Sequence, residues 1–189
     1  MTPDLLIDTC MKLDPLSELP RTGWLLRGIR PCESLADHSY GVAVVSALLV
    51  DGLRAEGATV DGERVLRLAL SHDAPEARTG DIPMPSKTPE LDAELTKLES
   101  SLFHSLLPPA WHALHEELER AETLEARIVR AADKLQMMIK VLVYESQQRG
   151  RLEEFWRNPK NFRDYDVLLA RACFDRVCER AGKPKPLTA

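Results

Sequence analysis

The 189-residue sequence has four cysteines, Cys10, Cys32, Cys173 and Cys178, and no CxxC pair among them. That excludes a thiolate zinc ribbon and, at this length, a disulfide scaffold. Aromatic side chains are only 5% of the chain and are not interleaved with basic ones, while the net charge is -5. The chain therefore offers neither a basic field to hold nucleic-acid phosphates nor a row of rings to stack bases. No apolar run approaches the roughly 20 residues of a membrane helix. The N-terminal MTPDLLIDTCMKLD carries acids where a secretory leader carries bases, so the expected location is the cytoplasm. Alternating apolar segments and hairpin signals are also missing, which leaves nothing to start a sheet.

What is present is helical periodicity. Apolar residues at 44% and charged residues at 29% are ordinary for a folded soluble chain. The expectation is one all-α domain over residues 1–189, a compact bundle with its core at about 19–180 and a polar tail at 182–189. A first helix is predicted over Pro3–Leu13, followed by an irregular stretch, PLSELPRTGW, that folds over the body. A second starts near Ser34 or Asp37, either of which is a fitting cap, and runs to Gly57. A third covers Gly62–Ala77. The proline-rich TGDIPMPSKTPE is a loop, and the amphipathic stretches PELDAELTKLESSLFHSLL and PPAWHALHEELERAE form an outer pair. A long helix over Leu124–Glu145, a turn at LEEFW and a last helix over Tyr165–Arg180 complete the bundle.

Three of these helices carry a polar residue on the apolar face. His38 shares a stripe with Val42, Val45 and Leu49, and His72 and Glu76 share one with Val65, Leu68 and Ala69. Asp133 lies between Val129 and Met137. A histidine on such a face is, taken singly, an ordinary core residue, and His72-Asp73 alone is an ordinary charged helix end. Asp133 is harder to dismiss, because an unpaired buried carboxylate costs several kcal/mol. A salt bridge to Lys134 or Arg130 is its alternative explanation. Taken together, His38, His72, Asp73 and Asp133 make a mixed nitrogen and oxygen donor set that suits a divalent transition ion such as Mn, Co, Fe, Ni or Zn.

Read in order, His38, His72-Asp73 and Asp133 resemble the H…HD…D signature of the HD-domain superfamily of metal-dependent phosphohydrolases. The strings PRTGWLLRGI, ESLADHS, LALSHDAPEARTGDIP, AADKLQ and GRLEEFWRN resemble one branch, the small YfbR-like 5′-(deoxy)nucleotidases and their eukaryotic relatives. The chain reads Arg21-Thr22-Gly23-Trp24 where bacterial members of that branch often have Arg-Trp. The resemblance implies the four metal ligands named above, a nucleotide substrate and a homodimer. It also places Glu76 and Asp81 around the nucleophilic water and the substrate.

Hydrolysis of a phosphate monoester needs a nucleophilic water, neutralised phosphoryl oxygens and a proton for the departing alkoxide. Glu76 would handle the water or, alternatively, hold His72 in its ligating tautomer. Asp81 would protonate the leaving oxygen or accept a sugar hydroxyl. Arg27, Arg30 and Lys87 are the candidate cations for the phosphate, and Trp24 would stack on the base or wall off the sugar, with packing beneath the loop as its alternative. The expected function is removal of phosphate from (deoxy)nucleoside 5′-monophosphates. The alternatives are HD-type hydrolysis of nucleoside triphosphates, cyclic nucleotides or alarmones, and a binding module that keeps its metal only for stability. The exposed-looking Leu168, Leu169 and Phe174 of the last helix offer a place for the second copy.

Overall fold

The structure, a computed structural model, describes residues 1–83 and 88–186. Among these residues no strand forms, and an isolated bridge between Pro20 and Ser34 is the nearest approach to a sheet. Helix α1 (Pro3–Leu13) starts on Thr2, whose hydroxyl accepts the Leu5 N–H at 3.2 Å. The following stretch is more regular than its prolines suggest, with a 3₁₀ turn at Asp14–Ser17 and one helical turn, α2 (Thr22–Leu25). Pro15 sits in the first turn, where its missing N–H is not needed.

Helix α3 (Leu35–Ala55) begins with a capping box. Asp37 N–H donates to Ser34 Oγ at 3.0 Å and Ser34 N–H donates to Asp37 Oδ2 at 2.9 Å, so both candidate caps are used. Helix α4 covers Gly62–Ser71, six residues short of the expected end at Ala77. Pro75 is the cause. It has no N–H to give the Ser71 carbonyl, and its ring would clash there. The chain instead passes through tight turns, with Ala74 N–H on Ser71 O at 3.1 Å and Glu76 N–H on Asp73 O at 3.0 Å, into the single turn α5 (Glu76–Thr79).

Helices α6 (Pro89–Leu106) and α7 (His112–Arg120) form the outer pair. The long α8 (Leu124–Ser146) and the short α9 (Glu153–Arg157) follow as expected. The last helix, α10 (Leu168–Ala181), starts three residues later than Tyr165, because Tyr165 and Asp166 take positive φ values of 48° and 61°.

Packing centres on α8, which lies against α3, α4, α7 and α10. Its N-terminal half gives Ile128, Val129, Ala131 and Ala132 to one apolar cluster with α3, α4, α6 and α7. Its C-terminal half gives Leu135, Met138, Val141 and Tyr144 to a second, which holds Trp24, Ile29, Trp156, Phe162 and Phe174. Asp133 falls at the seam between the two. The apolar row expected on the surface of α10 reduces to Leu168. Leu169 is half-buried, and Phe174 is fully buried against Phe162 because α10 lies down on α8.

Candidate metal centre and cleft

Three helices bring His38, His72 and Asp133 to one point, with a possible ligand atom of each within 4.8 Å of the others. His38 leaves the first turn of α3 and is completely buried. Its Nε2 lies 3.4 Å from His72 Nε2 and 3.3 Å from Asp133 Oδ1. Asp73 joins through Oδ2, which stands 3.1 Å from His72 Nε2 and 3.6 Å from His38 Nε2. On an unbroken helix neighbouring residues point about 100° apart. The turn forced by Pro75 is what lets His72 and Asp73 face the same point.

Both imidazoles present the same nitrogen. His72 Nδ1 lies 2.7 Å from the Ala69 carbonyl oxygen, which only accepts, so Nδ1 carries the proton and, in the neutral imidazole that binds metal, Nε2 keeps the lone pair. His38 Nδ1 lies 2.7 Å from Gln136 Oε1, with the same result. Two lone pairs 3.4 Å apart repel unless a cation joins them. Two nitrogens each about 2.0–2.1 Å from one tetrahedral ion stand about 3.4 Å apart, so the donor set fits a divalent ion.

The surrounding charges support the carboxylates. Burial opposes the charge on Asp73, but His72, His38 and Arg21 more than offset it and hold the group below the usual carboxylate range. Asp133 is likewise held well down, against its burial, by Lys134 and the two histidines. Lys134 Nζ contacts Asp133 Oδ2 at 2.9 Å, so the salt bridge expected as the alternative does form. It occupies Oδ2 and leaves Oδ1 toward His38. Arg130 instead binds Glu119 and the Leu118 carbonyl.

Glu76 behaves in the opposite way. Burial, then the negative charge of Asp73, push its carboxyl up to about 10, and its Oε2 is buried without a hydrogen-bond partner. Asp81 follows Gly80, whose φ of 68° turns the chain back, and its Oδ2 accepts the Gly23 N–H at 3.3 Å. Both line a cleft of about 610 Å³ together with His72, Asp73 and Asp133.

The proposed substrate contacts divide. Arg27 lines the cleft, paired with Glu154, whereas Arg30 is exposed and lies outside the lining. Trp24 is 2% exposed, stacked on Phe155 at 4.8 Å with its indole N–H on Glu33 Oε1 at 2.8 Å. It thus forms cleft wall from within the core, and its stacked face is not open to a base. Lys87 lies outside the described residues.

Sequence reasoning passed over several others. Arg21 reaches Asp73 Oδ2 at 3.3 Å, and the negative charges of Asp73, Asp81, Asp133 and Glu76 raise its pKa despite burial. It arrives because main-chain bonds Arg21 N–H to Glu33 O and Leu35 N–H to Leu19 O tie residues 19–21 to the start of α3. The wall from α9 onward adds Phe155, Asn158, Asn161 and Lys160, and Lys160 has no ion-pair partner among the described residues. Arg21 stands in the quoted string PRTGWLLRGI, and Gln136 in AADKLQ is one turn beyond Asp133.

Comparison with known proteins gives a family for the chain. A family model described as an HD domain matches residues 13–168. A Xenopus laevis relative named 5′-deoxynucleotidase HDDC2 is 33% identical over 151 residues, which is 76% of this chain and 72% of that protein. The Homo sapiens protein of the same name is 31% identical over 75% of this chain and 70% of its own length. Among solved structures, a conserved hypothetical protein of Pyrococcus furiosus superposes with a TM-score of 0.79 at 32% identity, covering 92% of this chain and 99% of that one. A predicted metal-dependent phosphohydrolase of Magnetospirillum magnetotacticum gives a TM-score of 0.68 at 26% identity, over 95% and 94% of the two chains.

Proposed function

The chain belongs to the HD-domain family of metal-dependent phosphohydrolases, and on that footing we propose that it converts (deoxy)nucleoside 5′-monophosphates to nucleoside and phosphate. The observation that carries the reading is an unpartnered Glu76 oxygen in the cleft that His72, Asp73 and Asp133 also line, with the buried His38 close behind them. The ion we assign to His38, His72, Asp73 and Asp133 is one of Mn, Co, Fe, Ni or Zn. When bound, such an ion neutralises phosphoryl oxygens and makes water nucleophilic at neutral pH.

The residues divide the remaining work. Glu76, ionised once the charge of a cation at the four proposed ligands offsets its burial and the Asp73 charge, would take a proton from the attacking water as the phosphorus–O5′ bond breaks, and that proton balances the one the departing alkoxide needs. The alternative role for Glu76, orienting His72, has less support, since the Ala69 carbonyl already holds His72 Nδ1. Arg21 and Lys134, each beside a proposed ligand carboxylate, bring positive charge to the phosphate. Asp81 faces the sugar, and Phe155, Asn158 and Lys160 receive the base. A binding module that kept its metal only for stability would have no use for the buried, unsatisfied Glu76 carboxyl oxygen, which is costly to keep. The homodimer expected from the sequence is carried as a proposal as well. Tyr40, Val44 and Leu48 stand exposed at four-residue intervals on α3, and sedimentation analysis tests their burial in a second copy.

The decisive assay is phosphate release from all ribo- and deoxyribonucleoside monophosphates, beside tri- and cyclic nucleotides, with each metal added back. Dominant release of triphosphate or pyrophosphate overturns the monophosphatase reading. Glu76→Gln is expected to lose at least about 100-fold in turnover while bound metal stays near wild type, a loss typical of removing a positioned general base. Unchanged turnover would show that Glu76 does not handle the water.

A further inference from the structure

A ligating imidazole needs one lone pair aimed at the ion and its other N–H satisfied. The His38 partner, Gln136, is by itself ambiguous. Turned over, the carboxamide would offer its NH₂ group to Nδ1 and hold the opposite tautomer, with the proton on Nε2.

Glu33 removes the ambiguity. It is buried at 5% exposure, on the far side of Gln136 from the metal site. Trp24 Nε1 and Lys140 Nζ, which can only donate, stand 2.8 and 3.5 Å from its two oxygens. The third group at those oxygens is Gln136 Nε2, at 3.1 Å from Oε2. A carboxylate surrounded by donors only accepts, so it must meet the amide NH₂. That orientation turns Gln136 Oε1 to His38, requires the proton on Nδ1, and leaves Nε2 free for the ion.

A separate feature of the chain fits the same arrangement. Gly41 lies inside α3, where glycine destabilises a helix relative to alanine. A Cβ at that position would stand 2.9 Å from both Cγ and Nε2 of Gln136. The glycine leaves the space in which the amide reaches between Glu33 and His38.

We infer that Glu33, which touches neither substrate nor the proposed ligands, is a positioning residue that sets the ligating tautomer of His38 through Gln136. The inference rests on His38 being a metal ligand, as proposed above. It separates a tautomer-setting role from the simpler one of anchoring Trp24 and the chain before α3.

The test uses full-length protein, stripped of metal, at alkaline pH. Nitrogen-15 NMR reads the His38 tautomer directly, and Co²⁺ titration reads ion affinity. The wild type is expected to show His38 protonated on Nδ1. In Glu33→Gln the amide at 136 loses its fixed orientation, so a mixture of tautomers is expected, with Co²⁺ binding weakened about 10- to 100-fold. Gln136→Met serves if Glu33→Gln does not fold. It leaves Glu33 with Trp24 and Lys140 but removes the acceptor, and the same two changes are expected. Tyr144→Phe is the control, since Tyr144 Oη accepts only the Glu33 main-chain N–H, and its tautomer should match the wild type. An unchanged His38 tautomer in Glu33→Gln and Gln136→Met, or equal disturbance in Tyr144→Phe, overturns the relay. Absence of Co²⁺ binding in the wild type would overturn the ligand assignment instead, even with the tautomer fixed as stated.

Discussion

The two imidazoles of the site present the same nitrogen but are held by different parts of the molecule. His72 gives its Nδ1 proton to the carbonyl of Ala69, three residues back in the last turn of α4. His38 gives its proton to Gln136, 98 residues away, and that amide is oriented by Glu33, 103 residues from it. The first arrangement depends on how one helix ends, and the second on α3, α8 and the segment before α3 all being in place. One imidazole is therefore set by local chain geometry and the other by completed tertiary structure, so the two should fail under different substitutions.

The largest effect comes from removing what both imidazoles face. Asp133→Ala takes away the Oδ1 that lies 3.3 Å from His38 Nε2 and leaves Lys134 without its partner. Bound metal, measured by elemental analysis, and phosphate release are both expected to fall beyond detection, more than the roughly 10- to 100-fold typical of an outer partner. Metal retained at wild-type stoichiometry would remove Asp133 from the ligand set.

Pro75→Ala acts on the His72 side alone. With an N–H restored at residue 75, the Ser71 carbonyl gains its helical partner and α4 can run on, swinging Asp73 away from His72 by the helical step. Misplacing a reacting group by about 1 Å costs about 100-fold, and phosphate release should drop by about that factor. The His38 tautomer should not change. Full activity together with a continued helix would show that the turn is not what unites His72 with Asp73.

Gly41→Ala acts on the His38 side. Alanine favours the helix by about 0.5–1 kcal/mol, but crowding Gln136 costs about 1–3 kcal/mol, so a net loss of about 1 kcal/mol is expected in urea unfolding. Metal affinity should fall about tenfold, at the low end of the range for an outer partner. A stabilised protein with unchanged affinity would mean that Gln136 adjusts freely.

The same division explains what could be read from the sequence. That His38 and Asp133 point inward and meet was legible because a polar residue on an apolar stripe has few explanations, and the stripes of α3 and α8 are regular over many turns. The end of α4 was misplaced although Pro75 stood in plain view, because the apolar spacing of Val65, Leu68, Ala69 and His72 continues to Glu76 and suggested a longer helix. Glu33 and Gln136 gave no signal, since a buried amide and carboxylate show their purpose only when elements a hundred residues apart meet. Arg21 was hidden for a related reason, as it reaches Asp73 only through main-chain pairing of residues 19–21 with the start of α3. For Trp24 the sequence left stacking on the base, walling off the sugar and packing beneath the loop open, and packing decides it, since its N–H is spent on Glu33 and its face on Phe155.

The smallest effect on the site should come from Ser34→Ala, four residues before His38. Ser34 Oγ accepts the Asp37 N–H at 3.0 Å and closes the capping box of α3. Losing that cap costs about 0.5–2 kcal/mol, visible as a lower urea midpoint at constant slope. The relay through Gln136 and Glu33 lies on the buried side of α3 and does not pass through Ser34. The His38 tautomer and Co²⁺ affinity should therefore stay within about twofold of wild type, far short of the roughly 10- to 100-fold loss expected when an outer partner of a ligand is removed. A loss of that larger size from the cap alone would mean that His38, like His72, is held chiefly by the end of its own helix.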